Sequence, residues 1–529
     1  MGKIFLSLTS VATGAALMTE PALVLRGGRV IDPESDLDTV ADVAVTQDSA
    51  TGERRVSAVG PALPPGAREI DVSGLVVTAG FVDMHSHAFD TSGQRLQVLD
   101  GVTTALELES GVTPVARAYA SAAADGKPVN YGFATSWAMA RMAVLAGVPL
   151  DGSVRTFFAY SARPEWQRPA SRAEQERILA LLEADLADGA LGIGILAGYA
   201  PAASPEEYLA VASLAARAGV ATFTHSRDLV EFRPSTPIDG AEEIVRAAGE
   251  TGAHMHYCHV NSTTLRHCDR VLSLVSRAQR GGARVSTEAY PYGAGMTGIG
   301  AAFLAPERLH ERGLVPADLT YAPTGEQVAS ASRLRELRAA DPGGLAIIRN
   351  LDDSMPGDRE LLMRYLLFPG AVVASDAMPL TFPGGEGGLG NGSGEDAWPL
   401  PPGAFTHPRT AGTFSRSIRL LTRDAFPLSQ PNTGALPLPE ALAKCSLEPA
   451  RLLEDHVPAM RRKGRITPGA DADIVVFDPA TISDQATYAD STRPSSGIRH
   501  VLVNGEFAVR DARLVTTARP GRPVRAGRP

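Results

Sequence analysis

The chain has 529 residues, of which 44% are hydrophobic and 21% charged, a balance typical of a globular protein large enough for several domains. Its net charge of -9 and its pI near 5.7 argue against nucleic-acid binding, which usually needs a basic face. Three cysteines without a CxxC pair exclude a disulfide framework. They fit a reducing compartment, so we expect a cytoplasmic protein.

Residues 1–21 hold a mildly apolar stretch that resembles a weak signal segment, so export is the alternative to a cytoplasmic location. No other stretch of the sequence reaches the roughly 18 apolar residues of a membrane span. We therefore expect neither a membrane nor a nucleic acid as a partner. A small molecule is the expected ligand, and the sequence contains no signal for an oligomeric state.

Short β-prone runs separated by turn residues occupy both ends of the chain. Residues 22–74 contain three of them, ALVLRGGRVID, DVAVTQ and RVSAVG. Residues 441–515 contain further runs and a hairpin turn at Asn504-Gly505. These flanks predict one small β-sandwich domain built from both ends. Residues 516–529 are basic and rich in Pro and Gly, which predicts a disordered tail.

Between the flanks, residues 75–440 alternate apolar runs with helical stretches such as 171–188 and 205–218. This alternation is typical of a parallel α/β architecture, and eight units predict a TIM-like (β/α)8 barrel. The eight candidate strands are VVTAGFVDMH, TTALELE, NYGFAT, LGIGIL, ATFTH, HMHYCHV, RVSTEAY and AVVASDA. Two more apolar runs, VRTFFAY and LAIIRNL, do not fit this count and are assigned to insertions.

In such a barrel the reactive residues lie at the C-terminal ends of the strands. His85 and His87 are one residue apart and project to the same side of a strand. A lone H-x-H pair is more often a surface feature. Here, however, metal-binding side chains close five of the eight strands, and they are His85 and His87, Glu107 and Glu109, His225, His259, and Asp376. This convergence predicts a metal site.

Catalytic zinc takes imidazole and carboxylate ligands and keeps one position open for water. The histidines and one or two carboxylates suffice for one zinc ion, or for two that share a bridging group. A zinc-bound hydroxide can attack a carbonyl, and a nearby carboxylate can pass the proton to the leaving amine. Asp376 is the candidate for that carboxylate. The predicted reaction is hydrolysis of an amide or related C–N bond.

The motifs GFVDMHSH, DGVTTALELESG, FTHSRD, STEAYPYGAGMTG, SDAMP, HPRTAGTF and the C-terminal RPSSGIRHVLVNG resemble the amidohydrolase superfamily, within it the N-acyl-D-amino-acid deacylases (D-aminoacylases). The resemblance covers about residues 25–510. It implies metal ligands at His85, His87, His225 and His259, with Asp376 as the catalytic acid and base. It also implies substrate contacts from Tyr290 and from Arg409, whose guanidinium suits a carboxylate.

The chain departs from that pattern in several places. Ser110 stands where D-aminoacylases carry a cysteine ligand, and no lysine lies where other branches carry a carboxylated lysine. Glu109 is therefore the predicted bridging ligand, with Glu107 behind it as the alternative. Asn261 replaces a frequent lysine and Met296 an expected serine, which leaves the substrate open.

Several other residues near these motifs are assigned lesser roles. The Gly/Pro-rich segment 381–403 predicts either a mobile loop beside the site or a surface insertion. His254 and His256 are assigned to packing, and Cys258 to a buried apolar position. Arg227 and Asp228, which follow His225, are expected to support that ligand.

The leading hypothesis is a zinc-dependent amidohydrolase that removes the acyl group from an N-acyl amino acid, of D configuration if the resemblance extends to stereochemistry. The alternatives are a hydrolase of cyclic amides or imides, or of another C–N bond in a biosynthetic pathway. A barrel that has lost catalysis is a further alternative, although the retained histidines and Asp376 argue against it.

Overall fold

The computed structural model describes residues 21–382, 396–424 and 435–527. The strands in chain order are Leu23–Asp32 (β1), Leu37–Gln47 (β2), Arg54–Gly60 (β3), Glu69–Asp71 (β4), Val76–Ala79 (β5), Phe81–Asp83 (β6), Val102–Val112 (β7), Asn130–Ser136 (β8), Gly192–Leu196 (β9), Ala221–His225 (β10), His254–Tyr257 (β11), Val285–Ala289 (β12), Ala294–Gly298 (β13), Leu319–Tyr321 (β14), Glu326–Gln327 (β15), Leu345–Arg349 (β16), Ala371–Val373 (β17), Ile474–Phe477 (β18), Ile498–Val503 (β19), Glu506–Arg510 (β20) and Arg513–Leu514 (β21).

The helices in chain order are Thr91–Leu99 (α1), Val115–Asp125 (α2), Trp137–Ala146 (α3), Val154–Tyr160 (α4), Arg172–Ala187 (α5), Pro205–Ala218 (α6), Gly240–Thr251 (α7), Val260–Thr264 (α8), Cys268–Arg280 (α9), Ala331–Ala340 (α10), Pro356–Leu367 (α11), Arg409–Thr422 (α12), Leu438–Cys445 (α13) and Leu447–Leu453 (α14). The predicted helix at 171–188 is α5, which begins with a reciprocal capping box between Ser171 and Glu174. No helix of the described ranges is both long and apolar enough to span a membrane.

The predicted (β/α)8 barrel is confirmed. Its eight parallel strands follow the order β6-β7-β8-β9-β10-β11-β12-β17, and each overlaps one of the eight predicted runs. Between the two end strands, Ser86 and Ala377 form a parallel bridge. The N–H of Ser375 donates to Asp83 Oδ1 at 3.0 Å across the same seam.

The predicted small β-domain from both termini is also confirmed. Its strands join one nine-stranded sheet in the order β21-β20-β19-β18-β5-β1-β2-β3, with β4 paired to β1. The sheet has an apolar core of its own, to which Leu25, Val43 and Val476 contribute. The predicted hairpin joins β19 and β20 at Asn504-Gly505, where both residues have positive φ as a tight hairpin turn requires.

The first predicted strand is in fact two, divided at Gly80. Its first half, β5, pairs with β1 and β18 in the terminal sheet, and its second half, β6, enters the barrel. A side chain at Gly80 would place Cβ 2.1 Å from Thr103 Oγ1, so only glycine lets the chain cross here. The residues before His85 and His87 thus connect the barrel to the β-domain.

The structure differs from the predicted division of the chain in two places, at residues 441–453 and in the C-terminal tail. Residues 441–453 belong to helices α13 and α14 rather than to the β-domain, because Ala450 and Leu453 pack under barrel residues such as Val82. The predicted disordered tail instead lies against the barrel over its described part. Val524 is buried, and its N–H donates to the carbonyl of Tyr131 at 2.7 Å.

The two unplaced apolar runs lie in insertions, as predicted. VRTFFAY forms helix α4, and LAIIRNL contains β16. Strand β16 belongs to a four-stranded sheet with the order β13-β16-β14-β15. Both insertions contribute side chains to the cavity at the C-terminal end of the barrel.

Candidate metal centre

The predicted metal ligands meet at the C-terminal mouth of the barrel. Glu109 lies at the centre, and its carboxylate contacts three of the four histidines within 3.3 Å. Oε1 is 2.7 Å from His259 Nε2 and 3.1 Å from His225 Nδ1. Oε2 is 3.3 Å from His85 Nε2 and 3.6 Å from His87 Nε2. One carboxylate, shared by both histidine pairs, thus lies where a bridging ligand would be needed.

Asp376 completes the group from the last barrel strand. Its Oδ1 is 3.5 Å from His85 Nε2 and 3.6 Å from His87 Nε2, and those two nitrogens are 3.1 Å apart. All these side chains are at least nine-tenths buried, yet His87, His225, His259, Glu109 and Asp376 line one cavity. Groups this close together in a buried site can bind a common cation.

Two acidic residues orient the histidines from behind. Glu107 Oε2 is 2.7 Å from His87 Nδ1, whereas Glu109 lies 3.6 Å from Nε2 of the same ring. Glu288 contacts His85 Nδ1, lies 3.0 Å from His256 Nε2 and accepts the N–H of His259 at 3.1 Å. Such carboxylate–histidine contacts fix the ring orientation of metal ligands.

Sequence reasoning missed Glu288. The available signal was its position on a barrel strand within STEAYPYGAGMTG, two residues before Tyr290. His254 and His256, which were assigned to packing, also make polar contacts, because a ring nitrogen of each lies 2.8 Å from Ser286 Oγ. His256 therefore belongs to a polar chain that runs from Ser286 through Glu288 to His85.

The charged side chains of the cluster shift one another's pKa values. Burial lowers the pKa of His87, but Glu107 and Glu109 outweigh it and raise that pKa to about 9. Burial would raise the pKa of Glu109, yet His259, His85 and His225 hold it well below its ordinary value. The carboxylates therefore stabilise positive charge among the histidines. Either bound protons or a metal cation can supply that charge.

Two residues of the site have backbone conformations that are rare for residues other than glycine. His259 has φ +29° and Asp376 has φ +49°, and each lies two or three residues past the end of a barrel strand. Strain of this kind persists only where the surrounding structure enforces it, and it concentrates at functional sites. For His259 the bond from its N–H to Glu288 is one such constraint.

The other metal-ligand types fit the site less well. The three lysines of the described ranges all have their ammonium groups bound elsewhere, which argues against a carboxylated lysine. Ser110 lines the cavity with a buried hydroxyl that has no hydrogen-bond partner in the described ranges. Cys258 is buried as predicted, but it lies close to His85 and Glu288, and burial raises the pKa of its thiol well above the ordinary value.

Zinc fits this donor set. Zinc commonly binds imidazole nitrogens and carboxylate oxygens. In addition, two buried ring nitrogens, Nε2 of His225 and Nδ1 of His259, have no hydrogen-bond partner among the described residues. His85, His87, His225, His259 and Glu109 could therefore hold one or two ions, with Asp376 beside them.

The predicted substrate residues Arg409 and Tyr290 lie beside Asp376. The fully buried guanidinium of Arg409 donates from Nη2 to Asp376 Oδ2 at 2.8 Å and stacks over the ring of Tyr290. Its Nε donates to the Asp376 carbonyl, so Nη1 is the guanidinium nitrogen that has no partner within the described part of the chain. The expected pair of guanidinium nitrogens that would bind a carboxylate is therefore reduced to one, Nη1.

Gly295 marks where that free nitrogen points. A Cβ on Gly295 would lie 3.3 Å from Asn350 Nδ2, 3.4 Å from the Tyr290 hydroxyl and 3.9 Å from Arg409 Nη1. The absent side chain leaves a space with three hydrogen-bonding groups around it, which we call the donor cradle. Asn350, the last polar residue of LAIIRN, was missed because its run could not be placed in the barrel count.

The remaining predicted positions have structural partners. Asn261 Oδ1 accepts the N–H of Tyr290 at 3.4 Å. Arg227, two residues after His225, pairs with Glu243 through two bonds of 3.0 Å. Residues 383–395, the middle of the predicted loop 381–403, lie outside the described residues.

The sequence of the chain is similar to one protein family and to characterised deacylases. A model described as "Amidohydrolase family" matches residues 68–509. The chain is 28% identical to the D-aminoacylase of Alcaligenes xylosoxydans xylosoxydans over 518 residues, 91% of this chain and 93% of that protein. It is also 28% identical to the N-acyl-D-aspartate deacylase of the same organism over 528 residues, 95% of each.

A solved structure extends the comparison to the fold. The N-acyl-D-glutamate deacylase of Bordetella bronchiseptica, complexed with zinc and a phosphonate inhibitor, superimposes with a TM-score of 0.71. The sequences are 24% identical, and the match covers 96% of this chain and all of the other. The two proteins share the barrel and the terminal β-domain as one fold.

Proposed function

The chain belongs to the amidohydrolase family, and we propose that it is a zinc-dependent enzyme that hydrolyses the amide bond of an N-acyl amino acid. The predicted hydrolase class agrees with that membership. The observation that carries the proposal is one cavity lined both by Glu109, with three of the histidines, and by Tyr290 and Asn350, beside the buried guanidinium of Arg409. The D configuration comes from the similar deacylases.

We assign the zinc to His85, His87, His225, His259 and Glu109, as one ion or two. When bound there, zinc supplies a Lewis acid that polarises the amide carbonyl and lowers the pKa of a coordinated water to about 7. Glu288 and Glu107 keep His85 and His87 turned toward the centre through their contacts with Nδ1.

Asp376 is the proton carrier in this proposal. Its Oδ1 faces the histidines, while its Oδ2 is held by Arg409 at 2.8 Å. Oδ1 can therefore accept the proton of the attacking water and deliver it to the amide nitrogen as the C–N bond breaks. Positioned acid–base groups of this kind contribute about 10²- to 10⁴-fold to the rate.

The donor cradle receives the carboxylate of the amino acid. Arg409 Nη1, the Tyr290 hydroxyl and Asn350 Nδ2 surround the space above Gly295. Burial raises the pKa of Tyr290 to about 12, so its phenol remains a donor at neutral pH. Charge-assisted bonds from the guanidinium provide the strongest of these contacts.

The expected location remains the cytoplasm in this proposal. All three cysteines lie unpaired in the described structure, and each is buried. Unpaired thiols fit the reducing compartment that the cysteine count predicts.

The decisive experiment assays the zinc-loaded protein against matched N-acyl D- and L-amino acids and against cyclic amides and imides. We expect hydrolysis of N-acyl amino acids with a preference for the D series. Asp376→Asn should retain zinc, by elemental analysis, and lose at least about 100-fold in kcat.

Activity on cyclic imides with none on N-acyl amino acids would replace this proposal by the cyclic-amide alternative. Full activity of Asp376→Asn would remove Asp376 from the proton-transfer role. Inactivity on every substrate with zinc bound would favour the non-catalytic barrel.

A further inference from the structure

A row of four aromatic rings lines the cavity on the side of the metal centre formed by His87 and His225. We call it the aromatic wall, and it consists of Phe157 and Phe158 from α4, Tyr199, and Phe303. The ring centroids of successive members are 5.5, 5.3 and 5.4 Å apart, so the row is continuous. All four rings are buried in the folded chain although they face the cavity.

The two ends of the wall rest on the predicted metal ligands. The ring of Phe158 lies 6.5 Å from that of His87, edge to face. At the other end, Tyr199 and Phe303 lie 4.9 and 6.0 Å from the ring of His225. A group attached to a carbonyl at the metal centre could therefore extend directly over the wall.

Strand β13 relates the wall to the donor cradle. Gly295, near its start, borders the cradle, whereas Thr297 bonds the Tyr199 hydroxyl at 2.5 Å and Gly298 lies beside Phe158. Three residues of an extended strand span about 10 Å. The cradle therefore lies about 10 Å from the Phe158 end of the wall. Its Tyr290 ring is 6.5 Å from the ring of His259, whereas the wall borders His87 and His225.

The length of an N-acyl amino acid matches this spacing. Standard bond lengths put the first carbon of the acyl chain about 5 Å from the carboxylate carbon, with the amide between them. When the carboxylate occupies the cradle, the acyl chain beyond that carbon points toward the wall. The amino-acid side chain branches earlier, near the cradle.

The charged side chains beside the wall are paired with one another. Arg312 covers Phe303 at 4.7 Å, but it donates to Asp228 at 2.6 Å. Asp228 also accepts from Arg308, which in turn pairs with Glu311, so two cations face two carboxylates. The Tyr199 hydroxyl is already bonded to Thr297, and the buried Nε of Arg312 has no hydrogen-bond partner among the described residues.

We propose, on the basis of the deacylase function proposed above, that the aromatic wall selects substrates with a bulky apolar acyl group, such as an aryl-acetyl group, over N-acetyl amino acids. A ring that enters the cavity removes apolar surface from water on both partners, while an acetyl methyl reaches little of the wall. The preference therefore arises from the acyl side of the scissile bond.

The test compares three substrates that share one D-amino acid and differ only in the acyl group: acetyl, phenylacetyl and succinyl. With the zinc-loaded full-length protein we expect kcat/KM for the phenylacetyl substrate to exceed that for the acetyl one at least about tenfold, mainly through a lower KM. Phe158→Leu and Phe303→Leu should each reduce this ratio at least about threefold.

Phe133→Leu is the matched control, because this barrel phenylalanine packs on Tyr119 away from the cavity and should keep the wild-type ratio. Equal rates for acetyl and phenylacetyl would overturn the acyl preference and leave the deacylase function intact. A faster succinyl substrate would show that Arg312 selects an acidic acyl group instead. Inactivity with all three substrates would overturn both proposals.

Discussion

Replacement of Glu288 tests whether the metal centre depends on the residues behind its ligands. The two oxygens of Glu288 bind three groups, which are the rings of His85 and His256 and the N–H of His259. Burial alone would raise the pKa of Glu288, but His85 and His256 hold it far below its ordinary value. The carboxylate is therefore charged at neutral pH, and its loss affects two histidines at once.

Glu288→Ala leaves those groups without an acceptor, and each unsatisfied buried group costs about 1–3 kcal/mol. Loss of a residue that orients a metal ligand lowers affinity about 10- to 100-fold, or about 1.4–2.7 kcal/mol. Glu288→Gln retains one acceptor oxygen at the position shared by His85 and His259. We therefore expect the order wild type, Glu288→Gln, Glu288→Ala in zinc affinity.

Competition with a chromophoric zinc chelator measures this order, and thermal unfolding of the metal-free proteins measures the structural cost. Glu207→Gln is a matched control, since Glu207 is equally buried and binds Arg141 and Trp137 instead. It should lower Tm and keep zinc affinity within about twofold. Wild-type affinity in Glu288→Ala would refute the role of this carboxylate.

Three further changes test other parts of the structure. Glu109→Ala should at least halve the zinc content by elemental analysis, and unchanged content would contradict a bridging carboxylate. Gly295→Ala places a methyl 3.3 Å from Asn350 Nδ2 and should raise KM for N-acyl amino acids about tenfold. Gly249→Ala, where nothing lies within 4 Å of the added methyl, should leave KM unchanged, and equal effects would refute the cradle. Burial raises the pKa of Asp100 to about 7, so the folded chain holds a proton that the unfolded chain releases near pH 4. Stability should therefore fall as pH rises from about 4 to 7, and Asp100→Asn should gain in Tm relative to wild type between pH 5 and pH 8; a constant difference would contradict this assignment.

The sequence alone determined the barrel and the residues that close its strands. Eight apolar runs separated by helical stretches are local patterns, and the position of a side chain at a strand end depends only on its own run. Parallel strands then bring their C-terminal ends together whatever the details of packing. For this reason His85, His225, His259 and Asp376 could be predicted to meet.

The resemblance to deacylases added what local patterns could not. It pointed to Tyr290 and Arg409, which the structure places beside Asp376. The fork expected of Arg409 was only partly correct, because Asp376 already occupies two of its three nitrogens.

Only the tertiary structure decided which side chains support the site from other elements. Glu288 and His85 are 203 residues apart, and their contact exists because the barrel closes and brings strand β12 near the C-terminal end of β6. Asn350 reaches the cradle from an inserted sheet that no barrel count can place. The tail around Val524 packs on Tyr131 because the barrel offers it an unpaired backbone, which composition cannot reveal. Such contacts depend on long-range closure of the chain, whereas periodicity and spacing report only on near neighbours.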